Sequence, residues 1–158
     1  GLSLQQIADG LGRCMPFDGR LQRHQLNHGC SVINDTYNAN PASVMAAIHV
    51  LQLQQGCRCM ILGDLAELGN DAKRLHQQIG QQVATAGIEY FFTIGPLATQ
   101  AMKSFRVHGG DQGMALQNFE EMAPILQQIR QHNITYLVKG SRSFRMEQVV
   151  KLLLAHGN

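Results

Sequence analysis

No stretch of this sequence approaches the roughly twenty consecutive apolar residues of a membrane-spanning helix, so a transmembrane helix is excluded. Charge is sparse as well. Thirteen basic against eleven acidic side chains leave a formal +2, too little to imply a nucleic acid or an anionic membrane surface as partner. The four cysteines, Cys14, Cys30, Cys57 and Cys59, have neither zinc-site nor disulfide-framework spacing. They read as reduced, mostly buried thiols of a cytosolic protein. The histidines are scattered, and the one pair four apart, His24 and His28, falls in a segment that reads as extended, so no metal is expected. The phosphate-cradling Gly-x-x-x-x-Gly-Lys-Ser/Thr loop is missing. So is Gly-x-Ser-x-Gly, and no Cys/His pair stands in a nucleophile context. The chain has no internal repeat and no low-complexity segment. Nothing at its start resembles a signal peptide, and its beginning at Gly1 is what an excised fragment or processed chain would show.

What is present is a globular balance, 44% apolar and 15% charged residues over a length that suits one ordinary domain. A short helix is expected over residues 1–12, with Ser3 and Gln6 in capping-box spacing and Leu4, Ile7, Ala8 and Leu11 on one face. A link punctuated by Pro16 and Gly19 follows, then strands over 20–26 and 30–33 around an Asn27-His28-Gly29 turn. From there strands and helices alternate. Helices are expected at about 41–55, 71–86, 97–103 and 118–133, and from Met146 onward; strands are expected at 57–62, 88–94 and 134–138, with a brief one at 105–108 and a loop over 109–113. Alternation of this length implies right-handed βαβ crossovers. The expected fold is therefore α/β and Rossmann-like, a mainly parallel sheet of about five or six strands with helices on both faces. A boundary is plausible near residues 27–31.

Three polar blocks each follow a strand, so all three should emerge at the carboxyl edge of the sheet, where ligands of open α/β sheets bind. The first is Asp35-Thr36-Tyr37-Asn38-Ala39-Asn40, leading into Pro41, with Asn40 as helix cap. The second runs from Gly63 to Gly69. The third is Lys139-Gly140-Ser141-Arg142, made cationic by Lys139, Arg142 and Arg145, with Gly140 letting a ligand approach the backbone. A rim of acid, amide and base groups suits a ligand carrying both an ammonium and a carboxylate, such as a dipeptide. Each block has a plainer reading. Asp64 and Glu67 could simply begin the next helix, Lys139 to Arg142 could be a solvated turn, and Tyr37 could be ordinary packing. From the residues alone this is a ligand-binding α/β domain and not a complete catalyst.

The order Asn34-Asp35-Thr36-Tyr37-Asn38-Ala39-Asn40-Pro41 resembles the opening of the C-terminal domain of the Mur ligases, and within them the D-alanyl-D-alanine-adding branch. Ile61-Leu62-Gly63-Asp64-Leu65-Ala66-Glu67-Leu68-Gly69 resembles the same family, although Leu65 stands where methionine is frequent. So does Leu137-Val138-Lys139-Gly140-Ser141-Arg142 with Met146-Glu147 behind it. The resemblance implies that residues 1–28 are the tail of an ATP-binding central domain and residues 29–158 the C-terminal domain. It implies part of an ATP-dependent, amide-bond-forming ligase of peptidoglycan synthesis. That ligase joins D-Ala-D-Ala to UDP-MurNAc-tripeptide through an acyl phosphate, with ATP and Mg held mainly by the central domain.

By motif position, Arg20 of Gly19-Arg20-Leu21 would act on the nucleotide phosphates, and Asp35 on the ribose hydroxyls. Tyr37, Asn38 and Asn40 would face the reaction centre, with Tyr37 toward ATP and Asn38 counted with Arg20 as catalytic. Asn38, Asn40, Lys139, Gly140, Ser141 and Glu147 would hold the dipeptide, Glu147 meeting its ammonium. With the phosphate loop missing, this segment is expected to be inactive by itself. The alternative from another class is a stand-alone regulatory module that binds a small anion or nucleotide, and a third is a scaffold domain that binds nothing.

Overall fold

The computed structural model describes residues 3–12, 17–129 and 133–156. Helix α1, Leu4–Gly12, opens with the expected reciprocal cap: Ser3 Oγ accepts the Gln6 N–H at 3.2 Å, and the Ser3 N–H donates to Gln6 Oε1 at 2.9 Å. Leu4 and Ile7 on its apolar face are exposed, while the side chains of Ala8 and Leu11 lie outside the described residues. Cys14 and Pro16 of the link also lie outside them.

Six strands form one sheet in the order β1-β2-β6-β3-β4-β5. Strand β1, Gln22–Gln25, runs antiparallel to β2, Ser31–Asp35. The rest are parallel: β3, Cys57–Gly63; β4, Tyr90–Ile94; β5, Gln112–Leu116; and β6, Ile134–Lys139. The helices divide between the two faces, as a Rossmann-like fold requires. Period-two alternation sends Met60 and Leu62 of β3 and Leu137 of β6 to a core shared with α2, Pro41–Gln52, α3, Ala72–Thr85, and α4, Ala98–Val107. Cys59 and Ile61 of β3, with Tyr136 and Val138 of β6, face the opposite core with α5, Met122–Gln128, and α6, Glu147–His156. Burial of these alternating residues is what fixes the strand register.

Several expected boundaries move. The helix after Pro96 does not stop at Lys103, and residues 105–108 are not a strand. Helix α4 continues to Val107 because Ala101, Met102 and Phe105 keep the helical period, and Phe105 packs on Phe91 at 5.3 Å between ring centroids. The expected loop over 109–113 runs into strand β5. Gly113, at φ +140°, belongs there because a Cβ would lie 1.7 Å from the Phe91 carbonyl oxygen. Helix α2 ends at Gln52, short of residue 55. Helix α5 begins only at Met122, where Asn118 closes the preceding turn by accepting the Glu121 N–H, and it ends at Gln128. The first strand shrinks to Gln22–Gln25, since Leu21 takes a positive φ of 49°.

Candidate functional site

Strands β2, β3 and β6 deliver the three polar blocks to one edge of the sheet, as parallel neighbours must. Asn40 caps α2 by accepting the Ser43 N–H at 2.8 Å, while Ser43 Oγ accepts the Asn40 N–H at 3.0 Å, and Pro41 sits in the first turn. That cap sets the path of the preceding loop, whose Asn38 Oδ1 accepts the Ala39 N–H at 2.9 Å.

Asp35 and Lys139 are the last residues of β2 and β6 and face each other in register. Both lie on the α2 side of the sheet, two positions beyond Ile33 and Leu137. Lys139 Nζ donates to Asp35 Oδ2 at 2.6 Å and to the Asn38 carbonyl at 3.0 Å, and its side chain is only 2% exposed. Asp35 Oδ1 accepts the Leu21 N–H at 3.1 Å, which ties the segment ahead of β1 to the same edge. These groups line a cavity of about 400 Å³ with Arg20, Tyr37, Asn38, Asn40 and, from α2, Ser43, Ala46 and Ala47. Ser43, Ala46 and Ala47 are lining residues that the sequence reading missed.

Arg20 is exposed at the cavity mouth, its Cζ 4.5 Å from the centroid of the Tyr37 ring. Phe17 meets that ring edge-on at 5.8 Å, and the Tyr37 N–H donates to the Gly19 carbonyl at 2.9 Å. Gly19 has φ +73°, and a Cβ there would lie 2.9 Å from the Tyr37 nitrogen, so this close approach needs glycine.

The third loop is placed differently from the first. Gly140 packs against Gly63 and Met146, where a Cβ would come within 3.1 Å of the Gly63 Cα and 2.6 Å of Met146 Cγ. The close approach expected of a ligand is thus occupied by the chain itself. Ser141 is buried: its Oγ accepts the Ala66 N–H at 2.7 Å, and its N–H donates to the Asp64 carbonyl at 3.0 Å. Glu147, in the first turn of α6, has a buried Oε2 with no hydrogen-bond partner among the described residues. Gly140, Ser141 and Glu147 are therefore not brought into the cavity wall, whereas Arg20, Asp35, Tyr37, Asn38, Asn40 and Lys139 are. Arg142, exposed on the same loop, reaches back so that its Cζ lies 5.8 Å from the Tyr37 centroid.

Asp64 and Glu67 do not begin the next helix. Asp64 is buried and its carboxylate serves α4 instead, accepting the Ala98 N–H at 2.6 Å and the Leu97 N–H at 3.3 Å. Glu67 takes a left-handed conformation, φ 61°, within the loop. No three His, Cys, Asp or Glu side chains cluster as a metal site among the described residues.

Comparison with known proteins bears on the family and the fold. The family described as Mur ligase, glutamate ligase domain, matches residues 19–142. The chain is similar to the UDP-N-acetylmuramoyl-tripeptide--D-alanyl-D-alanine ligase of Escherichia coli (strain K12), with 34% identity over 99% of this chain and 34% of that protein. The Bacillus subtilis (strain 168) enzyme of the same description is 29% identical over 98% of this chain and 34% of its own length. Among solved structures, MurF from Acinetobacter baumannii superposes with a TM-score of 0.86 at 33% identity, covering 98% of this chain and 34% of that one. MurF from Thermotoga maritima in complex with ADP superposes with a TM-score of 0.78 at 20% identity, over 94% of this chain and 35% of that one, a likeness of fold. The chain thus spans about a third of the length of the curated relatives it matches.

Proposed function

The chain belongs to the Mur ligase family, and from that premise we propose that it is the C-terminal domain of an ATP-dependent ligase adding D-Ala-D-Ala to UDP-MurNAc-tripeptide in peptidoglycan synthesis. The observation that carries the reading is the shared cavity. Arg20, Asp35, Tyr37, Asn38, Asn40 and Lys139, six of the motif residues, line one space at the carboxyl edge of the sheet.

In this reading ATP supplies the phosphoryl group that activates the tripeptide carboxylate. Arg20 fits a role toward its phosphates, because the guanidinium stands at the cavity mouth and is held by aromatic rings, with no carboxylate partner among the described residues. Asp35 fits the ribose hydroxyls only through acceptor lobes left after the Leu21 N–H and Lys139 are served. Tyr37 offers the nucleotide its exposed ring. Lys139, already paired, acts by holding Asp35 and the Asn38 carbonyl in place. Asn38 and Asn40 present the loop that faces the acceptor dipeptide, while Gly140 and Ser141, outside the cavity wall, hold the loop after β6 against Gly63, Asp64 and Ala66. Glu147 lies outside the cavity wall, and only the lack of a donor to its Oε2 among the described residues supports a role toward an ammonium. Magnesium is held mainly by the central domain.

The division into residues 1–28, tail of that central domain, and 29–158, the C-terminal domain, goes with this reading, and β1 is then the strand by which the tail joins the sheet. The partners are the two substrates and the preceding domains of the same enzyme, and the compartment is the cytoplasm. Closure of the domains assembles the complete site. The test is phosphate release by the full-length enzyme with both substrates. Arg20→Ala should lower kcat about 100-fold, the scale of losing one charge-stabilising donor, and near-normal turnover in that variant would sink the role.

A further inference from the structure

We propose that Arg20 and Arg142 form a paired anion site, with Tyr37 as the positioning residue around which both guanidinium groups gather. The two cations come from opposite ends of the chain, one ahead of β1 and the other from the loop after β6. They converge on one ring, with Cζ at 4.5 Å and 5.8 Å from its centroid, both within the range where a ring face attracts a cation. The ring is itself held, edge-on by Phe17 and through its backbone by Gly19. The Arg142 end is anchored one residue earlier, where Ser141 bonds to both Asp64 and Ala66.

Charge accounting gives the site its chemistry. Lys139 at the same edge is neutralised by Asp35, and Arg58 and Arg74 elsewhere each meet a carboxylate. Arg20 and Arg142 meet none among the described residues. An aromatic face attracts cations without neutralising them, so two like charges are left around one ring, beside the cavity that Arg20 and Tyr37 line, and an anion with several oxygens relieves that repulsion. Guanidinium forks fit such a group bidentately. The ligand is therefore a phosphoryl or carboxylate group, and Tyr37 sets where the two forks point.

The ligase reading enters only in naming two sources of that group, the nucleotide phosphates and the carboxylate of D-Ala-D-Ala. In the full-length ligase, with each substrate varied in turn, Arg142→Lys should raise the KM of one of them about tenfold, the scale of a lost charged hydrogen bond. A rise for ATP assigns the phosphoryl group, and a rise for D-Ala-D-Ala the carboxylate. Tyr37→Leu should reproduce that loss for the same ligand, and Tyr37→Phe, which keeps the ring, should recover most of it. Both KM values and kcat staying within about twofold in Arg142→Lys and Tyr37→Leu would overturn the proposal. If the wild-type enzyme shows no ligase turnover, it is the ligase reading that fails. Titration of the 158-residue chain with inorganic tripolyphosphate and with succinate then decides. Binding that Arg142→Ala weakens about tenfold supports the paired site. No binding of either anion, or binding indifferent to Arg142, overturns it.

Discussion

Lys139 stands directly opposite Asp35 at the ends of two neighbouring parallel strands, joined to it at 2.6 Å while the chain between them runs through β3, β4 and β5. The Lys139 side chain is 2% exposed and Asp35 13%, so neither charge could be left there without the other. Lys139→Met should therefore lower the stability of the chain by about 3 kcal/mol, toward the low end for breaking a buried pair because Asp35 keeps some solvent. Adding Asp35→Asn should recover much of that loss, since the remaining group is then uncharged. Urea denaturation of both variants checks it, and a double variant no more stable than the single one would contradict the argument.

A second ion pair sits at the opposite end of β3 and makes a pH-dependent contribution. Arg58 reaches Glu89 with Nη2 at 2.6 Å and Nε at 3.1 Å, and its backbone N–H donates to the same carboxylate at 2.9 Å. Burial works to raise the Glu89 carboxyl, and the Arg58 hydrogen bonds outweigh it, so the folded value lies below the ordinary one. The folded state thus binds this proton more weakly than the unfolded chain does. The stabilisation is fully present above the unfolded value of about 4.3 and is lost as the pH falls through the lowered folded value. Glu89 is 40% exposed, so the pair is screened and contributes up to about 1 kcal/mol. Glu89→Gln should show its full deficit at neutral pH and close it as the pH falls from about 5 through the lowered folded value. Thermal unfolding across that range measures it, and a constant deficit would show that the carboxylate charge is not the cause.

What could be read from the sequence follows from how local its cause is. Asn40-Pro41 announces α2 because cap and first turn are neighbours in the chain, and β3 and β6 are legible because their apolar runs are bounded by glycine. Strand β5 was hidden because Gln112 and Gly113 have little strand propensity of their own. Gly113 is there to let β5 approach the Phe91 backbone. Lys139 read as a rim cation because its charge is visible in sequence, while the register that buries it beside Asp35 depends on a strand pairing 104 residues away. A comparable separation concealed the approach of Arg142 to Tyr37. Asp64 was read against the helix that follows it, yet its partners lie one βα unit further on.

That displacement of Asp64 makes the last prediction. Leu97 and Ala98 begin α4 with N–H groups that have no acceptor within their own helix, and the carboxylate of Asp64 from the end of β3 takes both. Gly95, at φ +118°, passes so close beneath that a Cβ would fall 2.4 Å from Asp64 Oδ1. The cap therefore works only with glycine at that position. Asp64→Ala should orphan two amides at a buried helix end and destabilise the chain by about 2 kcal/mol, the upper part of the range for losing a cap. Asp64→Asn, which keeps one acceptor oxygen, should lose roughly half as much. Hydrogen exchange at Ala98 reads the effect where it arises. It should quicken more in Asp64→Ala than amides of α6 on the opposite face do, and equal acceleration on both faces would mean that Asp64 supports the sheet edge and not the start of α4.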